Sequence, residues 1–396
     1  PNGAEVLTVN PVDDSIYDAT GNEASTSQSN NTATLNDQAG PTISSVSLAS
    51  NNSSIAVTFS EAVYNATGGS GALEASDFSF SIIGGTATLA SATPSSISPN
   101  GNVYTLGISL SGTPNGSEVL TVNPMDDSIY DSDGNEASMS QSNNTATLND
   151  DIFPIITSVS LAANNSTLAV TFSEAVYNAT GGSGALEASD FVFSTTLGTA
   201  TLSSTAPTSI SISGNVYTLG IGLSGNPDGD EVLVVNPVDD SIYDAAGNEA
   251  STSQSNNTVE LNEKIVPIIS SVALASDNST LAVTFSEAVY NATGGSGALE
   301  VGDFAFSITG GTATLTSTTP SSISISGNVY TLGITLTGTP DGSEVLRVNP
   351  KDDSIYDAQN NEASTSQSNN TATLNDNTVP TVTSVSSVTA NGTYSI

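Results

Sequence analysis

The chain repeats itself with a fixed period, and this limits what it can fold into more than any local motif does. The phrase Pro114-Asn115-Gly116-Ser117-Glu118-Val119-Leu120 returns as Pro227-Asp228-Gly229-Asp230-Glu231-Val232-Leu233 and as Pro340-Asp341-Gly342-Ser343-Glu344-Val345-Leu346. From 114 to 227 and from 227 to 340 the step is 113 residues. One step earlier the phrase opens the chain as Pro1-Asn2-Gly3-Ala4-Glu5-Val6-Leu7. A second landmark, Phe59-Ser60-Glu61-Ala62-Val63-Tyr64, recurs from Phe172 and from Phe285 with no insertion or deletion. Pro41, Pro154, Pro267 and Pro380 each restart the pattern after an Asn/Asp-rich stretch. These boundaries give the C-terminal part of a repeat over residues 1–40, whole repeats over 41–153, 154–266 and 267–379, and the start of a following domain over 380–396. The pattern is cut at both ends, from which we expect a longer parent. Recent duplication and selection for a uniform rod both account for the sameness of the copies.

Within a repeat the hydrophobic period is two. Ile55, Val57 and Phe59 alternate with Ala56 and Thr58, and Val119 and Thr121 alternate with Leu120 and Val122. Strand segments near 43–48, 55–59, 78–82, 86–90, 103–110, 118–123 and 145–148 number about seven, as in an immunoglobulin-like sandwich. The spacing therefore predicts an all-β chain of tandem immunoglobulin-like β-sandwich domains arranged as an elongated rod. One helical turn is expected at 71–77, leading into a strand that starts at Phe78. The linkers, such as Asp150-Asp151-Ile152-Phe153 and Glu263-Lys264-Ile265-Val266, are too short to bend freely. Strands of about ten residues give each sandwich roughly 40 Å, and three of them on the order of 120 Å.

Charge narrows the partners. Asp and Glu total 40 against three basic residues, Lys264, Arg347 and Lys351, for a net charge of -37. Such a surface repels nucleic acid and anionic lipid, and repels itself unless cations screen or bind it. A salty, calcium-containing exterior suits it, so a secreted location at a bacterial cell surface is expected. Cys, His and Trp are all missing, which excludes Ser-His-Asp and Cys-His sites, thiolate zinc and disulfides. No apolar stretch has the length of a membrane span, and no signal-peptide pattern is present. Scarce Lys and Arg leave few trypsin sites.

The most distinctive motif is the acidic turn Asn123-Pro124-Met125-Asp126-Asp127-Ser128-Ile129-Tyr130-Asp131-Ser132-Asp133-Gly134-Asn135-Glu136, which occurs four times. Clustered carboxylates and amide oxygens on a turn are what a hard cation such as calcium takes. The candidate ligands are Asp126, Asp127, Asp131 and Asn135, with their copies Asp13, Asp14, Asp18, Asn22, Asp239, Asp240, Asp244, Asn248, Asp352, Asp353, Asp357 and Asn361. The spacing is not that of an EF-hand, so further ligands must come from other loops. We nominate Glu61, Asp77, Glu174, Asp190, Glu287 and Asp303, each at a strand end or loop start. The other reading is that Asp, Asn and Gly fill turns because their side chains bond their own backbone. Gly21, Gly134 and Gly247 give way to Asn360 in the last copy, which implies a left-handed backbone there. Tyr130 and its copies Tyr17, Tyr243 and Tyr356 are expected to pack at a sandwich corner with the hydroxyl on backbone, sugar stacking being the alternative.

The order Phe-Ser-Glu-Ala-Val, then Ala-Leu-Glu-Ala-Ser-Asp-Phe, then Asp-x-x-Gly-Asn resembles the bacterial Ig-like tandem repeats of giant secreted surface adhesins, over essentially the whole chain. The resemblance implies calcium stiffening of the junctions between neighbouring domains, through Asp126, Asp127, Asp131, Asn135 and their copies. Asn360 departs from the pattern and weakens that transfer in the last unit. The composition also looks like the surface filament adhesins of gliding or marine Bacteroidota. If that holds, Ser15, Ser128, Ser241 and Ser354 resemble that phylum's O-glycosylation acceptor, whereas the enrichment of serine in turns favours an ordinary turn serine.

The function expected is that of a structural stalk or filament segment that projects an adhesive tip and bears tension. Its partners are neighbouring repeats, other filament chains, and an extracellular surface or polysaccharide reached through the tip. The alternative is a multivalent polysaccharide- or surface-binding module, with avidity from repetition. It needs rows of exposed aromatics, and only 5% of residues are aromatic. An enzyme is not expected, because glycoside hydrolysis by paired carboxylates needs one raised pKa in a cleft. Here the acids recur identically on turns.

Overall fold

A computed structural model describes residues 1–387. Residues 388–396, most of the expected following domain, lie outside the described residues, and 380–387 form neither strand nor helix. The described chain is all-β, broken only by the single 3₁₀ turns Ala75–Asp77, Ala188–Asp190 and Val301–Asp303. Each turn runs straight into a strand that begins with Phe78, Phe191 or Phe304.

In residues 41–153 the strands are β3 (Ile43–Leu48), β4 (Ser54–Phe59), β5 (Phe78–Ile83), β6 (Thr88–Leu89), β7 (Ile97–Asn100), β8 (Val103–Gly107), β9 (Leu110–Ser111), β10 (Val119–Pro124) and β11 (Thr145–Thr147). Before them stand β1 (Val6–Thr8) and β2 (Thr32–Thr34). Three antiparallel sheets result, in the orders β3-β4-β8-β7, β11-β10-β5 and β6-β9. The two larger sheets meet through alternate residues. Ile55, Val57 and Phe59 of β4 and Leu120, Val122 and Pro124 of β10 are buried, while the residues between them are half-buried. Each such apolar side chain stabilises the fold by roughly 1.5–3 kcal/mol. Phe59, Phe78 and Tyr104 pack at the centre, with Phe59 edge-on to Tyr104 at 5.8 Å.

The same strand orders return in the second and third copies. The third has its own core, from Ile269 through Phe285, Phe304 and Tyr330 to Leu374. The chain packs as two compact units. One holds Pro1–Ile156, Phe172–Asp190 and Pro237–Gln254, and the other holds Thr157–Thr171, Phe191–Asn236 and the described residues from Ser255 onward.

The structure departs from the sequence reading in three places. The run 103–110 is not one strand, because β8 pairs with β4 whereas β9 pairs with β6. Ile108 breaks the run by donating its N–H to the Ser53 carbonyl. Second, β7 is an edge strand that the alternation rule missed, because Ser-Pro-Asn supplies no apolar period. Third, the hydroxyl that bonds backbone inside the sandwich belongs to Tyr104, which donates to the Val63 carbonyl at 3.3 Å, as Tyr330 does to Val289 at 3.2 Å. Tyr17, in the acidic turn, donates its hydroxyl instead to the Asp14 carboxylate at 3.1 Å.

A buried carboxylate also ties the sheets together. Glu118, Glu231 and Glu344 are 0% exposed. Glu118 accepts N–H groups from Thr86 at 2.7 Å, Ala87 at 2.9 Å and Asn115 at 3.0 Å, which clamps the turn after β5 to the turn before β10. Burial pushes this carboxyl up, yet the N–H groups of Ala87, Glu118, Thr86 and Asn115 together hold it below its ordinary value. Gly85, at φ +60°, sits so close that a Cβ there would lie 2.0 Å from the Glu118 carboxyl carbon.

Candidate metal centre

The acidic turn begins where β10 ends, and its own side chains shape it. Asp127 takes a left-handed backbone, φ 54°, and donates its N–H to the Glu136 carboxylate at 2.7 Å. Asp14, Asp240 and Asp353 make the same bond to Glu23, Glu249 and Glu362, each at 2.6 Å. Ser128 donates its hydroxyl to the Asp126 carbonyl at 3.0 Å, and Ser15, Ser241 and Ser354 do the same toward Asp13, Asp239 and Asp352. These residues build the turn. The left-handed backbone expected further along is present, with φ of 86°, 92° and 98° at Gly21, Gly134 and Gly247 and 73° at Asn360.

Asp131 closes the turn and is buried. One of its oxygens accepts the N–H groups of Asp133 at 2.9 Å and Asn135 at 2.8 Å, and the other accepts the Asn135 side-chain amide at 2.7 Å. Asp244 is held by Gly247 and Asn248, and Asp357 by Gln359 and Asn361, in the same way. Asp18 has the same partners in Thr20 and Asn22, and the Asn22 side chain and N–H hold it well below the usual carboxylate range. The asparagines thus present their amide nitrogens to the aspartates and orient them. Asn248 and Asn361 reach further. Asn248 donates to the carbonyls of Asp150 and Ile152, and Asn361 to the carbonyl and carboxylate of Glu263, so this one side chain fastens the linker to the turn.

A paired backbone bridge between Tyr64 and Tyr130, 2.8 Å in both directions, draws the segment after β4 against the turn. Glu61 is thereby brought to Asp131. A third carboxylate arrives from the linker. Oxygens of Asp37, Glu61 and Asp131 lie within 4.8 Å of one another, and so do those of Asp150, Glu174 and Asp244. In the third copy Glu263 and Glu287 each stand near enough to Asp357 for their charges to repel. Burial, then Asp357 and Glu287, push Glu263 up to about 7. Burial first, then the neighbouring carboxylates, also raise Glu61, Glu174 and Glu287.

Of the residues nominated from sequence, Glu61 with Asp131 and Glu174 with Asp244 are brought together, and Glu287 lies within electrostatic reach of Asp357. Asp77 is not part of the group. Its carboxylate accepts the Glu74 N–H at 2.7 Å and caps the 3₁₀ turn, and Asp190 and Asp303 do the same for Glu187 and Glu300. The linker acids Asp37, Asp150 and Glu263 were overlooked. A signal for them exists, since the position stays acidic even where Asp changes to Glu.

Three carboxylates this close repel one another strongly in a partly dry site, and a divalent cation relieves that repulsion. The carboxylates would supply about three to six of the six to eight oxygens that calcium takes at roughly 2.3–2.6 Å. The all-oxygen donor set fits calcium and not a soft metal. No helix among the described residues is long and apolar enough to cross a membrane. No protein-family model matches this chain, and no curated protein matches it.

Proposed function

We propose that this chain is a structural stalk segment of a large secreted bacterial surface adhesin, made of immunoglobulin-like repeats that carry tension toward an adhesive tip and are stiffened at their junctions by calcium. The observation that carries the reading is the origin of the three carboxylates. One comes from a linker, and the other two come from the strand end and acidic turn of the repeat that follows it. A cation held there ties the linker to the next repeat's turn. The side-chain amides of Asn248 and Asn361 already fasten the same linkers, which supports a joint that resists bending.

Small-angle X-ray scattering of residues 41–379, in millimolar calcium and then in chelator at fixed ionic strength, tests the proposal. We expect a maximum dimension on the order of 120 Å in calcium that shortens or broadens in chelator. The double variant D150N/E174Q should lose that calcium response at its own junction and weaken calorimetric binding there at least about tenfold, the scale of losing two ligand charges. A compact particle in both buffers would overturn the stalk. An extended particle indifferent to chelator would keep the stalk and remove calcium from it.

A further inference from the structure

The turn between β9 and β10 carries a difference between copies that the function above does not use. In residues 41–153 it reads Pro114-Asn115-Gly116-Ser117, and the partial repeat before it has Asn2-Gly3, whereas the second and third copies place Asp228-Gly229 and Asp341-Gly342 at the same point. The turn itself does not change with the residue. Asn115 accepts the Ser117 N–H on its side-chain oxygen at 3.1 Å, Asp228 accepts the Asp230 N–H at 3.1 Å, and Asp341 accepts the Ser343 N–H at 2.9 Å. The glycines that follow share a left-handed backbone, with φ of 75°, 88° and 80°.

We infer that Asn115 is a site of spontaneous deamidation, which converts this turn to the acidic form that Asp228 and Asp341 already give the next two copies. Among the described residues no acceptor engages the Asn115 side-chain nitrogen, and the Gly116 N–H is held by nothing stronger than the backbone bridge that pairs Asn115 with Asp150. The main-chain N–H of Asn115 is meanwhile held by both oxygens of the buried Glu118, at 3.2 and 3.0 Å. Gly116 has no side chain to shield its nitrogen.

In the step, the Gly116 nitrogen attacks the side-chain carbonyl carbon of Asn115 and a C–N bond forms. The carbon–nitrogen bond of the side-chain amide breaks, and its NH₂ leaves as ammonia with the proton lost by the Gly116 nitrogen. Water then opens the cyclic imide at either carbonyl, giving Asp or isoAsp, so the balance is Asn plus water to acid plus ammonia. The Asp product keeps the bond to Ser117 as Asp228 and Asp341 do. It also adds a carboxylate beside Asp150, which Asn115 bridges through the backbone.

The test is to hold the full folded chain at mildly alkaline pH beside the same chain unfolded in urea, and to sample both for peptide mass spectrometry with fragmentation that separates Asp from isoAsp. We expect loss of the Asn115 amide in the folded chain at a rate within about tenfold of the unfolded one. N115D should run as the authentic product with an unchanged melting temperature, and N115Q should show no conversion in that peptide. Full retention of the Asn115 amide in folded chain, over the time in which urea-unfolded chain converts, would overturn the assignment. So would an N115D variant that fails to fold.

Discussion

Two sets of glutamates, one buried and one half-buried, stand in this molecule under opposite conditions. Glu118, Glu231 and Glu344 are ringed by backbone N–H groups, and Glu344 falls to about 2, chiefly through the Ala313 N–H. Glu263 rises to about 7, chiefly through burial and then through the carboxylates of Asp357 and Glu287. Sequence distance does not separate the sets, and neither does residue type. What differs is which groups the fold turns toward the carboxyl. The first set is complete as it stands, with its charge satisfied by donors. The second set is a group of like charges, which protons or a cation would satisfy.

The largest effect is expected at Gly85. Gly85→Ala forces a Cβ onto the Glu118 carboxyl and a non-glycine residue into a left-handed backbone. With several buried donors losing their acceptor at about 1–3 kcal/mol each, we expect a loss on the order of 4 kcal/mol. Hydrogen exchange at Thr86 and Ala87 reads it locally, and unchanged protection there would mean that the buried glutamate holds nothing together. Glu118→Gln keeps an acceptor oxygen and loses the charge, so it should cost less, about 1–3 kcal/mol in urea unfolding.

Acidity distinguishes the two sets by sign. Glu344 is lowered in the folded state, so the unfolded chain binds more protons between about pH 2 and 4.5, and this contribution to stability is lost as pH falls through that window. Glu263 is raised, so the folded chain binds more protons between about 4.5 and 7. Its contribution is full at the acid end and is lost as pH rises toward 7 in chelator. Exchange-resolved unfolding should therefore show the Thr312–Ala313 region weakening toward acid and the Asp357–Asn361 turn weakening toward neutral pH. Matching slopes in both regions would erase the distinction.

The smallest effect is expected from Glu287→Gln, which removes one of the like charges beside Asp357. In chelator it should stabilise the turn by no more than about 1 kcal/mol, the scale of partly exposed charge pairs. In calcium it should destabilise it, since a ligand is gone. A change of the same sign in both buffers would count against a cation at this group.

Much of the fold was legible because alternation and the repeat are local properties. Val57 and Val122 declare their buried faces by period two, and Asn360 in place of Gly247 declares a left-handed backbone. The edge strand β7 stayed hidden because Ser98, Pro99 and Asn100 carry no apolar period, and the break at Ile108 because a change of strand partner leaves no mark on alternation. Half of the candidate site was legible too. Glu61 and Asp131 were nominated from acidity and position, whereas Asp77 shares both properties and caps a 3₁₀ turn instead.

The period, the strand alternation, the left-handed turn positions and the excess of negative charge can be read from the chain alone, since each depends on a residue and its near neighbours. Which carboxylates meet donors and which meet one another is set by the fold. Glu118 and Thr86 are far apart along the chain, as are Asp150 and Asp244, and their encounters depend on long-range pairing that no local pattern encodes.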